Sequence, residues 1–435
     1  MINLSSQFSQ GQSIFFVCTE IKKALGLEDV LPDFHIVTAK FDPIIKHFRK
    51  NGVKIFCLEE HSKLPEHIFN SGKILEHEKV LSYIRKNSIK QIPAIAFFKP
   101  SLKTDFLIGQ YQFKKIGNSA DLNEQFENKI KFAELLNRDF SEYIIPFKIG
   151  TLKNLDFSDL AKDLSLPFVV QFGHGWAGKT TFFISNENSF IKLKSKFPST
   201  LVKCSRQIAG FTVLNNCTVF QKSVLVSPPA LQINGIKKLA SSSQVTCGRQ
   251  WPANLLDEKM KFAIKTVSRR VGRLMQGLHY KGFFGLDFIV SRSSGQFFIS
   301  EINARLTASS PFYTRLERGV GIVPLLAYHY AAFLDIELPK PGSSELPIYG
   351  SQLIIRNKET AAKIKLKKTG VYEMIGQNIV FQKEDYKIES VKDDQFIFYR
   401  RNSEAEDSEI VCLETKKPVL QSPHELAPWT NNIIS

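Results

Sequence analysis

The sequence predicts a mixed α/β (α+β) protein in three parts: a parallel-sheet unit, a central mixed region and a small β-rich C-terminal region. Three observations carry this. Residues 13–100 alternate short apolar runs with helix-like segments. The middle of the chain interleaves strand patterns with one long amphipathic helix, and residues beyond 350 read as a series of short strands. With 435 residues, 43% of them apolar and 36 of them Phe, the chain can fill more than one sizeable core.

In the first part, apolar runs at 14–18, 53–58 and 92–98 are separated by helical patterns at 43–50 and 77–86. Residues 5–13 offer one glycine, Gly11, so no dinucleotide fingerprint sits there. A helix is expected over 123–138, then a strand at 166–172, a glycine-rich loop, a strand at 180–185 and a turn at Asn186, Glu187 and Asn188. Residues 200–226 read as strands interrupted by turn-formers at Gly210 and at Asn215 with Asn216. Over 257–280, Met260, Ala263, Val267, Val271, Leu274, Met275 and Leu278 recur at helical spacing and form a core stripe. Strands follow at 283–290 and 296–305 around a loop at 291–295, then a loop at 306–314 and a helix at 321–334. Pro339, Pro341 and Gly342 mark a linker. Beyond it, strands are expected at 351–356, 370–374, 379–383, 386–391, 395–400 and 410–413. The domains expected are therefore 1–122, 123–338 and 345–435.

Lys and Arg number 58 against 42 Asp and Glu, a formal charge of +16. The basic residues are spread along the chain and mixed with acidic ones. Their densest group, Lys259, Lys261, Lys265, Arg269, Arg270 and Arg273, reads most simply as the solvated face of the long helix, so no nucleic-acid partner is expected. No apolar run of ~18 residues is present and the N-terminus lacks a basic, then apolar, leader pattern, so no membrane association and a cytoplasmic location are expected. The six cysteines are scattered without metal-type pairs, which favours reduced thiols over zinc.

Asp287, Glu301, Asn303 and Arg305 fall on the two strands facing one turn. Strand periodicity places Glu301, Asn303 and Arg305 on one face, with Ile302 and Phe298 on the other. Leaving the five loop residues unpaired puts Val290 opposite Gln296 and Gly285 opposite Glu301, with Asp287 diagonal to Glu301 at roughly 7 Å. Two carboxylates and an amide suit Mg2+, which takes oxygen ligands and completes its shell with water and phosphate. The competing reading is the wet face of an ordinary hairpin. Against it, Asp287 sits between Leu286 and Phe288 in a run too apolar for a surface strand, where a carboxylate needs a cation.

The loop from Gly173 through His174, Gly175, Trp176, Ala177, Gly178 and Lys179 to Thr180 matches the P-loop pattern. A P-loop needs a helix starting at its Lys-Thr, whereas Thr180, Thr181, Phe182, Phe183 and Ile184 are β-prone. The loop is therefore read as joining two antiparallel strands, with its backbone N–H groups, Lys179, Thr180 and Thr181 offered to a triphosphate.

Across residues 123–337 the chain resembles the ATP-grasp superfamily of carboxylate-amine ligases. The segment from Asn128 to Leu135 resembles the family's opening lysine helix, which makes Lys129 the match for a lysine that reaches the nucleotide phosphates. Residues 166–181 resemble the lid hairpin, within a lid at about 160–235, and would place Gln171, Gly173, Gly175, Gly178, Lys179, Thr180 and Thr181 at the nucleotide. Residues 284–288 and 300–305 resemble the metal-binding strands, giving Asp287, Glu301 and Asn303 as ligands, with Arg305 steadying phosphate or acyl phosphate. Residues 203–212 resemble the hinge whose backbone reads adenine, around Lys203, Cys204 and Ile208. Residues 247–251 resemble branches that join amino acids or peptide-like substrates. One departure stands out: where many members carry a second phosphate lysine this chain has Gln171, and Lys179 is expected to supply that charge as a catalytic residue beside Arg305.

The resemblance implies an N-terminal Rossmann-like pre-ATP-grasp unit, a central ATP-grasp fold and a β-rich C-terminal domain. It implies ATP and Mg2+, a small-molecule carboxylate activated as an acyl phosphate, and an amine that attacks it, with a homo-oligomer left open. A P-loop NTPase and a non-catalytic protein that binds nucleotide or an acidic partner are the alternatives.

Overall fold

A computed structural model describes residues 4–8, 12–64, 70–88, 91–175, 180–242, 244–339, 346–376, 378–401 and 408–434. Lys179, Gly178 and most of the expected linker, residues 340–345, lie outside the described residues.

The N-terminal unit holds five parallel strands, β1 (Ile14–Cys18), β2 (Phe34–Thr38), β3 (Lys54–Cys57), β4 (Ala94–Phe97) and β5 (Lys114–Ile116), in the order β3-β2-β1-β4-β5. β1, β2 and β4 are buried along their whole length, which is why they read as continuous apolar runs. The helices expected at 43–50 and 77–86 form as Ile44–Lys50 and Glu78–Lys86, the second capped by His77.

A four-stranded antiparallel sheet follows: β6 (Phe147–Thr151), β7 (Phe168–Phe172), β8 (Thr181–Ile184) and β9 (Leu201–Arg206), in the order β6-β9-β7-β8. It has its own core, in which Phe168, Val170, Ile184, Val202 and Cys204 meet Leu160, Phe190 and Leu193 from two flanking helices. The Asn186 turn is corrected: Asn186 accepts from Ser189 N and caps a helix, Glu187–Lys196. A strand, not a helix, follows the glycine-rich loop, and it pairs antiparallel with β7. The P-loop alternative has no helix to stand on.

Eleven further strands form one large sheet: β10 (Gly210–Phe220), β11 (Ser223–Val226), β12 (Ala230–Gln232), β13 (Gly248–Trp251), β14 (Gly282–Ser291), β15 (Phe297–Asn303), β16 (Gly350–Ile355), β17 (Gly370–Ile375), β18 (Asn378–Lys383), β19 (Gln395–Arg400) and β20 (Val411–Thr415); Leu420–Ser422 and Glu425–Leu426 pair in a small sheet of their own. Their order is β15-β14-β10-β12-β13-β16-β20-β19-β17-β18, with β11 on β10. The C-terminal strands thus continue the central sheet through the pairing of β13 with β16.

Four further expectations change. Asn215 and Asn216 are not a turn but lie buried inside β10, where Asn215 donates to Ser227 O and accepts from Ser268, and Asn216 accepts from Ser309. Such side-chain bonds let asparagine sit in a central strand. The helix expected over 123–138 is two, Ala120–Glu127 and Lys129–Asn137, broken where Asn128 turns extended and caps the second. The 306–314 loop gives way to a helix, Ser310–Gly319, with a proline in its first turn, and the next helix starts only after Pro324, at Leu325–Leu334. The strand expected at 386–391 is a short 3-10 turn, Ile388–Ser390. Among the described residues no helix is long and apolar enough to cross a membrane, and all six cysteines are buried and free.

Candidate active site

The hairpin of β14 and β15 forms, but its register differs from the simple count. Val290 faces Phe297, Asp287 faces Glu301 directly and Gly285 faces Asn303, because a bulge between Asp287 and Phe288 takes up Ser300 as an extra residue on β15. The bulge also shifts side-chain parity, so that Ile299, rather than Phe298, shares burial with Ile302. Directly opposed residues lie about 5 Å apart at Cα, closer than the diagonal first expected. β15 ends at Asn303, so Arg305 extends from the loop that follows.

Around this pair the charges interlock. Lys129 Nζ lies 2.9 Å from Glu301 Oε2. Asn303 donates from Nδ2 to Asp287 Oδ2 at 3.4 Å and accepts from Arg305 Nη2 at 2.8 Å. Arg305 Nε pairs with Glu127 Oε1 at 2.9 Å, and Lys99 reaches the other oxygen of Glu127 at 2.7 Å. Glu127 and Lys99 carry no motif that sequence could have read. Burial first, then the facing Glu301 carboxylate, pushes the Asp287 carboxyl up to about 7. Two oxygen-bearing carboxylates held together against their mutual repulsion, beside an amide already oriented by Arg305, fit a hard divalent cation. Asp287, Glu301 and Asn303 would hold it.

Next to Glu301 opens a cavity of ≈ 360 Å³ between the four-stranded sheet and the edge of the large sheet. Lys129, Gln171, Gly175, Thr180, Thr181, Lys203, Ile208 and Glu301 line it; Asp287, Asn303 and Arg305 do not, Asp287 standing behind Glu301 on the neighbouring strand. Gly173 O accepts from Lys129 N at 2.9 Å, tying the loop to the start of the lysine helix. At Gly175 a Cβ would fall 1.6 Å from Thr180 Oγ1, so a larger residue there would displace the Thr180 side chain. Phe132, Leu136, Ile144, Val169 and Ile289 supply apolar wall, enough for a planar ring system to lie against.

Alternation explains which side chains face the cavity. On β7 and β9, Phe168, Val170, Val202 and Cys204 point into the small core. Val169, Gln171, Lys203 and Ser205 therefore face the cavity. Arg249, in the 247–251 segment, is buried, and it donates to Ala308 O.

The sequence matches no protein-family model and no curated protein. Solved structures do match. Biotin carboxylase from Campylobacter jejuni, a β,γ-ATP complex, superposes with a TM-score of 0.62 at 17% identity, over 93% of this chain and 87% of that one. The biotin carboxylase domain of Hydrogenobacter thermophilus 2-oxoglutarate carboxylase, with MgADP, ADP and bicarbonate, gives 0.62 at 14% over 93% and 86%. N5-carboxyaminoimidazole synthetase from Staphylococcus aureus, with ADP, gives 0.57 at 12% over 93% of each chain. From the parallel N-terminal sheet to the C-terminal strands, the chain has the ATP-grasp fold of these enzymes.

Proposed function

We propose that this protein is an ATP-dependent ligase that activates a small carboxylate as its acyl phosphate and transfers the acyl group to an amine. One observation carries the reading: Glu301, paired across the hairpin with Asp287, lines a cavity whose basic groups, Lys129 and Lys203, face the same space. Solved neighbours that hold ATP, ADP or MgADP in this fold support it. Bound at Asp287, Glu301 and Asn303, Mg2+ would offset the charge that develops between the β- and γ-phosphates.

The chain's own residues have positional work. Lys129 lies against Glu301, from where its ammonium reaches the phosphate side of the cavity. Arg305, fixed by Glu127 and Asn303, presents its guanidinium beside the metal-binding face and steadies anionic oxygen of phosphate or acyl phosphate. The acid and amine are small molecules, with amino acids or peptide-like compounds the class favoured by residues 247–251, and a cytoplasmic site of action goes with this reading.

The test is incubation with MgATP and a pool of acids and amines, following ADP and phosphate release and finding the coupled product by mass. Glu301→Ala is expected to lose several kcal/mol of transition-state stabilisation, and so turnover, with the fold intact. Wild-type ATP turnover by Glu301→Ala in the presence of the coupled substrates overturns the assignment.

A further inference from the structure

β7 and β9 are neighbours in the four-stranded sheet, and their register sets Gln171 directly across from Lys203. On Gln171's other side, β8 places Thr181, whose hydroxyl is 3.5 Å from Gln171 Nε2. All three side chains line the cavity. Among the described residues that line it, the basic ones are Lys129, Lys203 and Arg206. Lys129 is already paired with Glu301, and Arg206 is exposed. Lys203 is different. Its side chain is half-buried, and no described carboxylate lies within ion-pair distance of it. A partly buried cation with no paired carboxylate is placed to take its counter-charge from a ligand.

We infer that Lys203 is a phosphate-binding residue of this cavity, carrying on β9 the positive charge that Gln171 leaves absent from β7. The inference rests on the nucleotide reading above and narrows it. Lys203 contacts the phosphate chain with its ammonium rather than reading the base with its backbone, and Gln171 beside it is a neutral neighbour that avoids setting a second ammonium against the first. The surroundings agree: burial, and then the nearby Lys129, lower the Lys203 ammonium to about 8. The Glu301 carboxylate partly offsets this without pairing with Lys203.

Calorimetry with MgATP, MgADP and adenosine on the full chain tests this. Lys203→Gln is expected to weaken MgATP and MgADP binding by about tenfold or more, the loss of one charged contact, and to leave adenosine binding unchanged. The pair Gln171→Lys with Lys203→Gln, which returns the charge to β7, is expected to recover most of the loss, an outcome no purely structural role for Lys203 would give. Thermal unfolding confirms that each variant is folded. MgATP affinity in Lys203→Gln equal to wild type, an equal loss for adenosine and MgATP, or a double variant no better than Lys203→Gln overturns the inference while the nucleotide reading stands. A wild-type chain that binds none of the three overturns the reading itself.

Discussion

His329 shows how a single buried ring can set acid stability. It lies inside the helix Leu325–Leu334, packed edge-on to Phe333 and Tyr330, and its Nδ1 accepts from Phe283 N at 3.0 Å. Burial lowers it to about 3. The unfolded chain takes up this proton near 6.5 and the folded chain refuses it until about 3, so folding stability falls as pH drops through that window, by at most about 1.4 kcal/mol per unit. His329→Gln keeps an acceptor and cannot titrate. Urea midpoints at pH 7 and pH 5 are expected to differ less in this variant than in wild type, and equal pH slopes would refute the role. The buried Arg315 and Glu414 pair, at 2.9 Å, is a second case at this scale. Arg315→Met leaves Glu414, among the described residues, with Gln352 and Tyr399 as donors and should cost about 3–5 kcal/mol. Adding Glu414→Gln should return part of it, as chemical denaturation would show.

For elements, local rules were legible and registers were not. Asp257 was readable as the start of the long helix, and it caps Glu258–Gly277 by accepting from Met260 N at 2.7 Å. Asp257→Ala is expected to destabilise by about 1 kcal/mol and Asp257→Ser by much less, measured by urea unfolding. The alternating runs of β14 and β15 placed Asp287 and Glu301 on one hairpin. Counting could not see the Ser300 bulge, because nothing in Ile299, Ser300 and Glu301 taken alone distinguishes a bulged residue from a paired one. Asn215 and Asn216 misled for a related reason: their partners Ser227, Ser268 and Ser309 come from elsewhere in the chain, and tertiary hydrogen bonds overrode a local turn preference. Lys203 was placed near the nucleotide, but its position opposite Gln171 depends on a strand pairing that bridges the helix Glu187–Lys196, itself missed.

In the whole molecule, three bodies differ in how they are tied together. The N-terminal unit is pinned to the rest by side chains: Arg318 donates to Gly26 O and pairs with Asp29 at 2.8 Å, and Arg401 pairs with Glu20 at 2.9 Å and Asp42 at 3.2 Å. The C-terminal strands share backbone hydrogen bonds with the central sheet through β13 and β16, so the two are parts of one continuous sheet. The four-stranded sheet is otherwise. Among the described residues its strands pair only with one another, and its core is drawn from its own residues, Leu152 through Cys204. Such a unit opens below the global unfolding free energy. Native-state hydrogen exchange is therefore expected to show β6 to β9 exchanging as one group, faster than β14, β16 and β20. Because β7 and β9 wall the nucleotide cavity, a ligand there couples this unit to the large sheet, and MgATP should slow exchange in β7 and β9 far more than in β17 to β19. Exchange of β6 to β9 at the rate of the central sheet, or equal slowing everywhere on adding MgATP, would show that the small sheet is not an independently opening lid.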